Sequence, residues 1–164
     1  MAYAPSKIIF LTNDAERCFM GDSPTLVDIK IMYGTGADAK WLSLVLAYIN
    51  EMPSGNKRMD SFQISAAAAT IASSFFFLKA SEILLFFRNL MGGKYGKVIY
   101  GGLDGHSIGA AIRDYFLPER AVYLDRIEQE ERERKWQEHL QHAVHDTDRL
   151  NSIVEKVRKT LSTQ

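Results

Sequence analysis

The charges of this chain are spread unevenly, and that unevenness constrains its fold more than any motif does. Of the first 117 residues 21 are Asp, Glu, Lys or Arg; of the last 47, from Pro118 onward, 19 are. An apolar body is followed by a densely charged arm whose signs cancel locally. The body has the apolar content to bury a core, whereas so polar an arm must be a solvated helix or find a partner. The chain has 164 residues, of which 46% are hydrophobic. That is enough for one domain and an extension, and it excludes global disorder.

The overall net charge is zero, so no bulk basic field draws a polyanion. The single cysteine, Cys18, cannot close an internal disulfide or supply a cysteine-based zinc site. A reducing compartment, and hence the cytoplasm, is expected. No signal peptide is expected at the start, where Ile8 to Leu11 follows no basic region and is too short for a signal-peptide core. Ser61 to Leu78 is uncharged for 18 residues, close to a membrane-spanning length. Its Ser, Thr, Gln and Ala gain little from lipid, so it is expected to be a core helix and not a membrane span.

The body reads as short helices between Gly-rich or polar breaks. Lys7 to Leu11 is β-prone but isolated, suiting a lone edge strand or an ordered extension. Ser23-Pro24 predicts a helix start, an N-cap oxygen followed by Pro at the first helical position. That helix runs through Leu26, Val27, Ile29, Lys30 and Tyr33 to Gly34. Asp38 to Glu51 places Trp41, Leu42, Val45, Leu46 and Ile49 on one face. After the break at Pro53-Ser54-Gly55-Asn56, Asp60 or Ser61 caps a helix burying Ile64, Ala67, Ala68, Ile71 and Phe75. Ser81 is expected to cap a helix of Ile83, Leu84, Phe86, Phe87 and Leu90 that stops at Gly92-Gly93. Asp104 caps one holding Ile108, Ala111, Ile112 and Tyr115. Beyond the first dozen residues nothing alternates with period two. The expectation is an all-α fold, a compact bundle of about five short helices followed by a long charged C-terminal helix. Its divisions are residues 1–22 as an N-terminal extension, 23–117 as the helical domain and 118–164 as the arm.

The arm begins with Arg126 to Lys135, almost all charged, where Glu128–Arg132, Glu130–Arg134 and Glu131–Lys135 stand four apart in the favourable order. From Trp136 a seam follows: Trp136, Leu140, Ala143, Thr147, Leu150, Val154, Val157 and Leu161, at alternating steps of four and three. That is a coiled-coil seam of minimal length, through which a homodimer could form. An amphipathic helix folded back on its own body is the other reading.

The residues with most chemical character lie between Met91 and Gly105, where six of fifteen positions are Gly. Arg88, Lys94 and Lys97 are the charges from Arg88 through Leu103, and Tyr95 and Tyr100 offer aromatic faces. Exposed amides, point cations and stacking faces suit a nucleic acid or other polyanionic partner. The alternative is a tight interhelical connection whose tyrosines cover the core. A phosphate-binding loop is excluded, because Met91 and Val98 stand where its first Gly and its Ser or Thr would be. His139, His142 and Asp146 share a helical stripe. Three ligands on one straight helix rarely converge on an ion, so no metal and no cofactor is expected. No nucleophile motif is present, Cys18 carries no signature of activation, and Phe75-Phe76-Phe77 and Phe86-Phe87 are read as core.

The run Leu84-Leu85-Phe86-Phe87-Arg88, then Gly93-Lys94-Tyr95-Gly96-Lys97, Tyr100-Gly101-Gly102-Leu103-Asp104-Gly105 and Ile112-Arg113-Asp114-Tyr115, resembles a family of small uncharacterised proteins from phages and mobile elements of gut bacteria. Ser23-Pro24-Thr25-Leu26 and Tyr33-Gly34 are similar to it too, so the resemblance spans roughly residues 23–120. The helix from Asp60 to Phe77 is more Ala-rich and less charged than that family's pattern. The resemblance implies a helical fold and an accessory role, with no catalytic residues to carry over. The function expected is therefore a non-enzymatic accessory protein binding a macromolecular partner. Nucleic acid would be met through Arg88, Lys94, Tyr95, Lys97 and Tyr100. The alternative is a host-directed protein–protein contact through helical surfaces, and neither reading involves a small-molecule substrate.

Overall fold

The computed structural model describes residues 3–8, 12–51, 58–95 and 104–161. Among these the chain is all-α: six short helices and one long one, with a 3-10 turn at Pro5–Lys7 and no strand. In order they are α1 (Ala15–Met20), α2 (Leu26–Tyr33), α3 (Ala37–Asn50), α4 (Ser61–Ser74), α5 (Ala80–Met91), α6 (Gly105–Ala111) and α7 (Leu117–Leu161). Two compact units divide the chain, Met1–Ala121 and Val122–Gln164.

In the first unit α5 is the central helix. Every residue from Ala80 to Phe87 is buried, and Leu90 with them, the pattern of a helix enclosed on all sides. α3 buries Trp41, Leu42, Val45, Leu46 and Ile49, the face that its spacing predicts, and packs on α4. α4 in turn packs on α6, closely enough that a Cβ on Gly105 would stand 2.7 Å from the Ala67 Cβ. The small side chains on α4 thus let a neighbour's backbone approach. The stretch Ser61 to Leu78 is not one helix: α4 ends at Ser74 and a turn leads into α5. Among the described residues no helix is long and apolar enough to cross a membrane.

Several local expectations change. α1 is unanticipated; Asp14 caps it by accepting from the Arg17 N–H, and Cys18 and Phe19 enter the core. Lys7 lies in the 3-10 turn and Ile8 is buried; residues 9–11 of the β-prone run lie outside the described residues. α2 starts at Leu26, not Pro24, because Thr25 is its N-cap and forms a reciprocal box with Asp28. Ser23 instead serves a distant helix: the Ser81 N–H of α5 donates to its Oγ at 3.0 Å. Ser81 consequently caps nothing on α5, whose N-cap is Lys79, and its hydroxyl donates to the Cys18 carbonyl at 2.7 Å. The Lys79 ammonium closes the end of α1 by donating to the carbonyls of Phe19 and Gly21. Leu26 and Val27 donate to Leu78 and Phe76, and Ala80 to Pro24. The orphan amides of two helix starts are satisfied across one junction.

Phe75, Phe86 and Phe87 are core, but Phe76 and Phe77 sit in the turn and are exposed. Ile64 is only half-buried. Asp104 caps α6 as expected, accepting from the Ser107 N–H at 2.8 Å. That helix does not reach Tyr115 in α-geometry. Residues Ile112–Phe116 form a π-turn, with the Leu117 N–H donating to the Ile112 carbonyl. The turn buries Phe116 and leaves Tyr115 exposed. Pro118 explains it: a Pro removes an N–H and crowds the preceding turn, and one wide turn relieves both. Helix geometry therefore continues through Pro118. The expected breaks at Gly34 and Gly92-Gly93 hold, with positive φ at Gly34 and Gly93.

The second unit is helical from Val122 to Leu161. Glu128 pairs with Arg132 as its spacing predicts, while Arg134 turns to Glu138 and Arg126 to Glu130. All six side chains are more than half exposed, so these pairs add little stability.

Candidate partner-contact surfaces

The end of α5 gathers three of the residues that the sequence singled out. Arg88, on the last turn of α5, is half-buried and donates from Nη1 to the Thr12 carbonyl. Lys94, in the turn after Gly93, is ion-paired with Glu119 of α7. Tyr95 is buried; its ring stacks on Phe86 at 5.5 Å and on Tyr115 at 6.1 Å between centroids. Its hydroxyl accepts from Asn89 at 3.2 Å and donates to Glu119 at 3.5 Å. Burial pushes the Tyr95 phenol up to about 12, so near neutrality it is protonated. Arg88, Asn89, Lys94 and Glu119 border a cleft of about 310 Å³ with Thr12, Asn13 and Gly92. Lys97 and Tyr100 lie outside the described residues.

Sequence reasoning missed Glu119 and Asn89, which complete this cluster. Glu119 sits beyond Pro118, among the charges read as a solvated arm, and nothing local links it to a loop 25 residues earlier. Chemically the cluster is an internal latch: Glu119 neutralises Lys94 and holds the Tyr95 hydroxyl.

A second polar anchor lies deeper. The Glu82 carboxylate has no exposed surface; it accepts from the Lys79 N–H at 2.9 Å and from Arg120 Nε at 2.7 Å. Arg120 also lies over the Phe77 ring, 5.9 Å from its centroid. Cys18, the single thiol, is buried, and its pKa is raised from 9.0 to about 11, first of all by that burial. It is a poor nucleophile.

The outer faces of α2 and α3 are different in character. Ile31 and Tyr33 are each 76% exposed, with Met32 and Leu44 open beside them. Between the helices runs a groove of about 430 Å³. Ile29, Tyr33, Trp41 and Leu44 supply its apolar wall, and Lys40 supplies its cation. The Trp41 indole closes one end by donating to the Tyr3 carbonyl at 3.0 Å.

On the arm, the seam residues Trp136, Leu140, Leu150 and Val154 are 65%, 49%, 63% and 52% exposed. Thr147 donates its hydroxyl back to the Ala143 carbonyl, so its polar atom is satisfied within the helix. The side chains of Val157 and Leu161 lie outside the described residues, as does that of Asp146. His139 and His142 are exposed. Among the described residues no group of three His, Cys, Asp or Glu is placed to hold a metal ion.

No curated protein and no solved structure matches this chain. A family model does match, over residues 58–149. It contains the run from Leu84 to Tyr115 on which the resemblance rested. Its limits differ from the expected span: it begins at α4, leaves out Ser23 to Gly34, and extends into the charged arm. The chain belongs to that family, described as a family of unknown function (DUF6633).

Proposed function

We propose that the protein is a non-enzymatic accessory factor, of the kind carried by phages and mobile elements, that binds a protein partner and acts as a self-associated molecule joined through its arm. The choice of protein over nucleic acid rests on the cluster at the end of α5. Lys94 is neutralised by Glu119 and Arg88 is engaged by Thr12, while the ring of Tyr95 is packed between Phe86 and Tyr115. A phosphate backbone would have to displace Glu119, and a base would find no open face on Tyr95. By contrast the α2–α3 groove is open and apolar. Its chemistry suits a partner segment with one or two aliphatic or aromatic anchors and a carboxylate to meet Lys40. Burial raises the pKa of the Cys18 thiol and makes it a poor nucleophile, which supports a non-enzymatic role. A single buried cysteine suits a reducing compartment, consistent with the cytoplasm.

The test has two arms. Labelled single-stranded DNA, duplex DNA and RNA are titrated with the full chain at low and at moderate salt; no binding at low salt is expected. Binding that a Lys94→Ala, Lys97→Ala pair abolishes would overturn the protein reading in favour of nucleic acid. In the second arm, partner capture from host lysate is compared between the parent and a Tyr33→Asp, Leu44→Asp variant with unchanged far-UV spectrum. Capture should be lost in the variant, and capture that survives sinks the groove.

A further inference from the structure

The arm's seam has been read as a contact between copies; resting on that reading, we infer that two arms pair antiparallel, the acidic half of each lying on the basic half of the other. The helix is continuous to Leu161, and four of its seam residues are about half exposed or more. From Trp136 to Leu161 it measures about 39 Å and carries some three and a half heptads.

The charges divide this stretch at its midpoint. Residues 136–148 contain Glu138, Asp146 and Asp148 and no Lys or Arg. Residues 149–161 contain Arg149, Lys156, Arg158 and Lys159 against the single Glu155. With histidines neutral, the halves carry −3 and +3. A parallel, in-register pair sets −3 against −3 and +3 against +3. An antiparallel pair sets each half on its opposite. Like charges along neighbouring helices separated by less than a Debye length repel, and this repulsion repeats at both ends of the parallel arrangement.

Side-chain volumes select the same orientation independently. In a parallel pair each seam residue faces itself. Ala143 on Ala143 and Thr147 on Thr147 would leave the middle of the seam underfilled, while Trp136 on Trp136 would overfill its start. Turned antiparallel about the midpoint, Leu140 faces Val157, Ala143 faces Val154 and Thr147 faces Leu150. Every thin position then meets a larger one. The residues that make the seam look weak as a parallel zipper are the ones that an antiparallel partner fills. The contact is isologous and closes as a two-fold dimer.

Sedimentation of the full chain measures the mass: a dimer is twice 18.6 kDa, about 37 kDa. Reversing the acidic half (Glu138→Lys, Asp146→Lys, Asp148→Lys) should weaken the dimer at least ~tenfold near ~0.1 M salt. Reversing the basic half (Arg149→Glu, Lys156→Glu, Arg158→Glu, Lys159→Glu) should do the same. Both reversals on one chain should restore it. Orientation is read by mixing Leu140→Cys and Val157→Cys chains under mild oxidation, with Cys18 buried and silent. The expected product crosslinks position 140 to position 157. A monomer at every concentration overturns the self-association reading itself. A dimer indifferent to single-half reversal, or crosslinked at like positions, overturns the orientation alone.

Discussion

Arg120→Ala should be among the most damaging single substitutions at a partly exposed position. Glu82 is wholly buried, and Arg120 Nε at 2.7 Å is its charged partner. Taking a carboxylate out of water costs several kcal/mol, which the guanidinium offsets only while it is present. Breaking such a pair from one side costs about 3–5 kcal/mol. The Arg120 side chain is 24% exposed, so water reaches part of the vacancy, and about 3 kcal/mol is the expected loss. For a chain of this size each kcal/mol moves Tm by about 2–4 °C, so Tm should fall by roughly 10 °C. Glu82→Leu with Arg120→Leu removes the stranded charge and gives up the acceptor for the Lys79 N–H and the contact of Arg120 with the Phe77 ring. The double variant should lie within about 1 kcal/mol of the parent, about 2 kcal/mol more stable than Arg120→Ala. The assay is urea unfolding followed by Trp41 fluorescence in a Trp136→Phe background, so that the signal reports the body. An Arg120→Ala chain within 1 kcal/mol of the parent, or a double variant no better than the single one, refutes the reasoning.

Ser23→Ala should cost about 1 kcal/mol through the start of α5, 58 residues away. Hydrogen exchange should then rise at the Ser81 amide and leave the first turn of α2 unchanged. Gly105→Val should destabilise by about 1–3 kcal/mol, because its Cβ would meet Ala67 at 2.7 Å. Thermal melts of Gly109→Ala, where a Cβ meets nothing within 4 Å, supply the control and should show no loss. On the alkaline side, Cys18 is raised from 9.0 to about 11 in the folded chain. The folded state therefore holds its proton longer than the unfolded one. Stability from this group is whole below pH 9 and declines as pH rises towards 11. Cys18→Ala should flatten that decline in urea midpoints, and an unchanged slope would show that the thiol is not its source.

What could be read along the chain follows from the range of each interaction. The buried face of α3 comes from side-chain spacing within one helix, so burial of Trp41, Leu42, Val45, Leu46 and Ile49 is legible in the sequence. The same holds for the caps at Asp60 and Asp104, whose donors, the N–H groups of Gln63 and Ser107, lie three residues ahead. Local rules fail where a side chain reaches across the fold. Ser23 has every local mark of a cap for α2, yet it is used by α5. Ser81 has the marks of a cap for α5, yet its hydroxyl is used by the end of α1. Arg88, Lys94 and Tyr95 were identifiable as a cluster of unusual composition. That they are consumed internally depends on Glu119 and Thr12, which only the packing of α7 and of the N-terminal segment brings near.

By itself, then, the sequence determined the helical class, the positions of most breaks, the contrast between body and arm, and the charge halves of the arm. These are properties of composition and periodicity, and they survive any arrangement of helices. Tertiary structure alone decided which polar groups are spent and which surfaces remain. Lys94 is latched because folding brings Glu119 of a distant helix into an ion pair with it. The outer faces of α2 and α3 stay open because α2 packs on α3, and α3 on α4, through their buried faces.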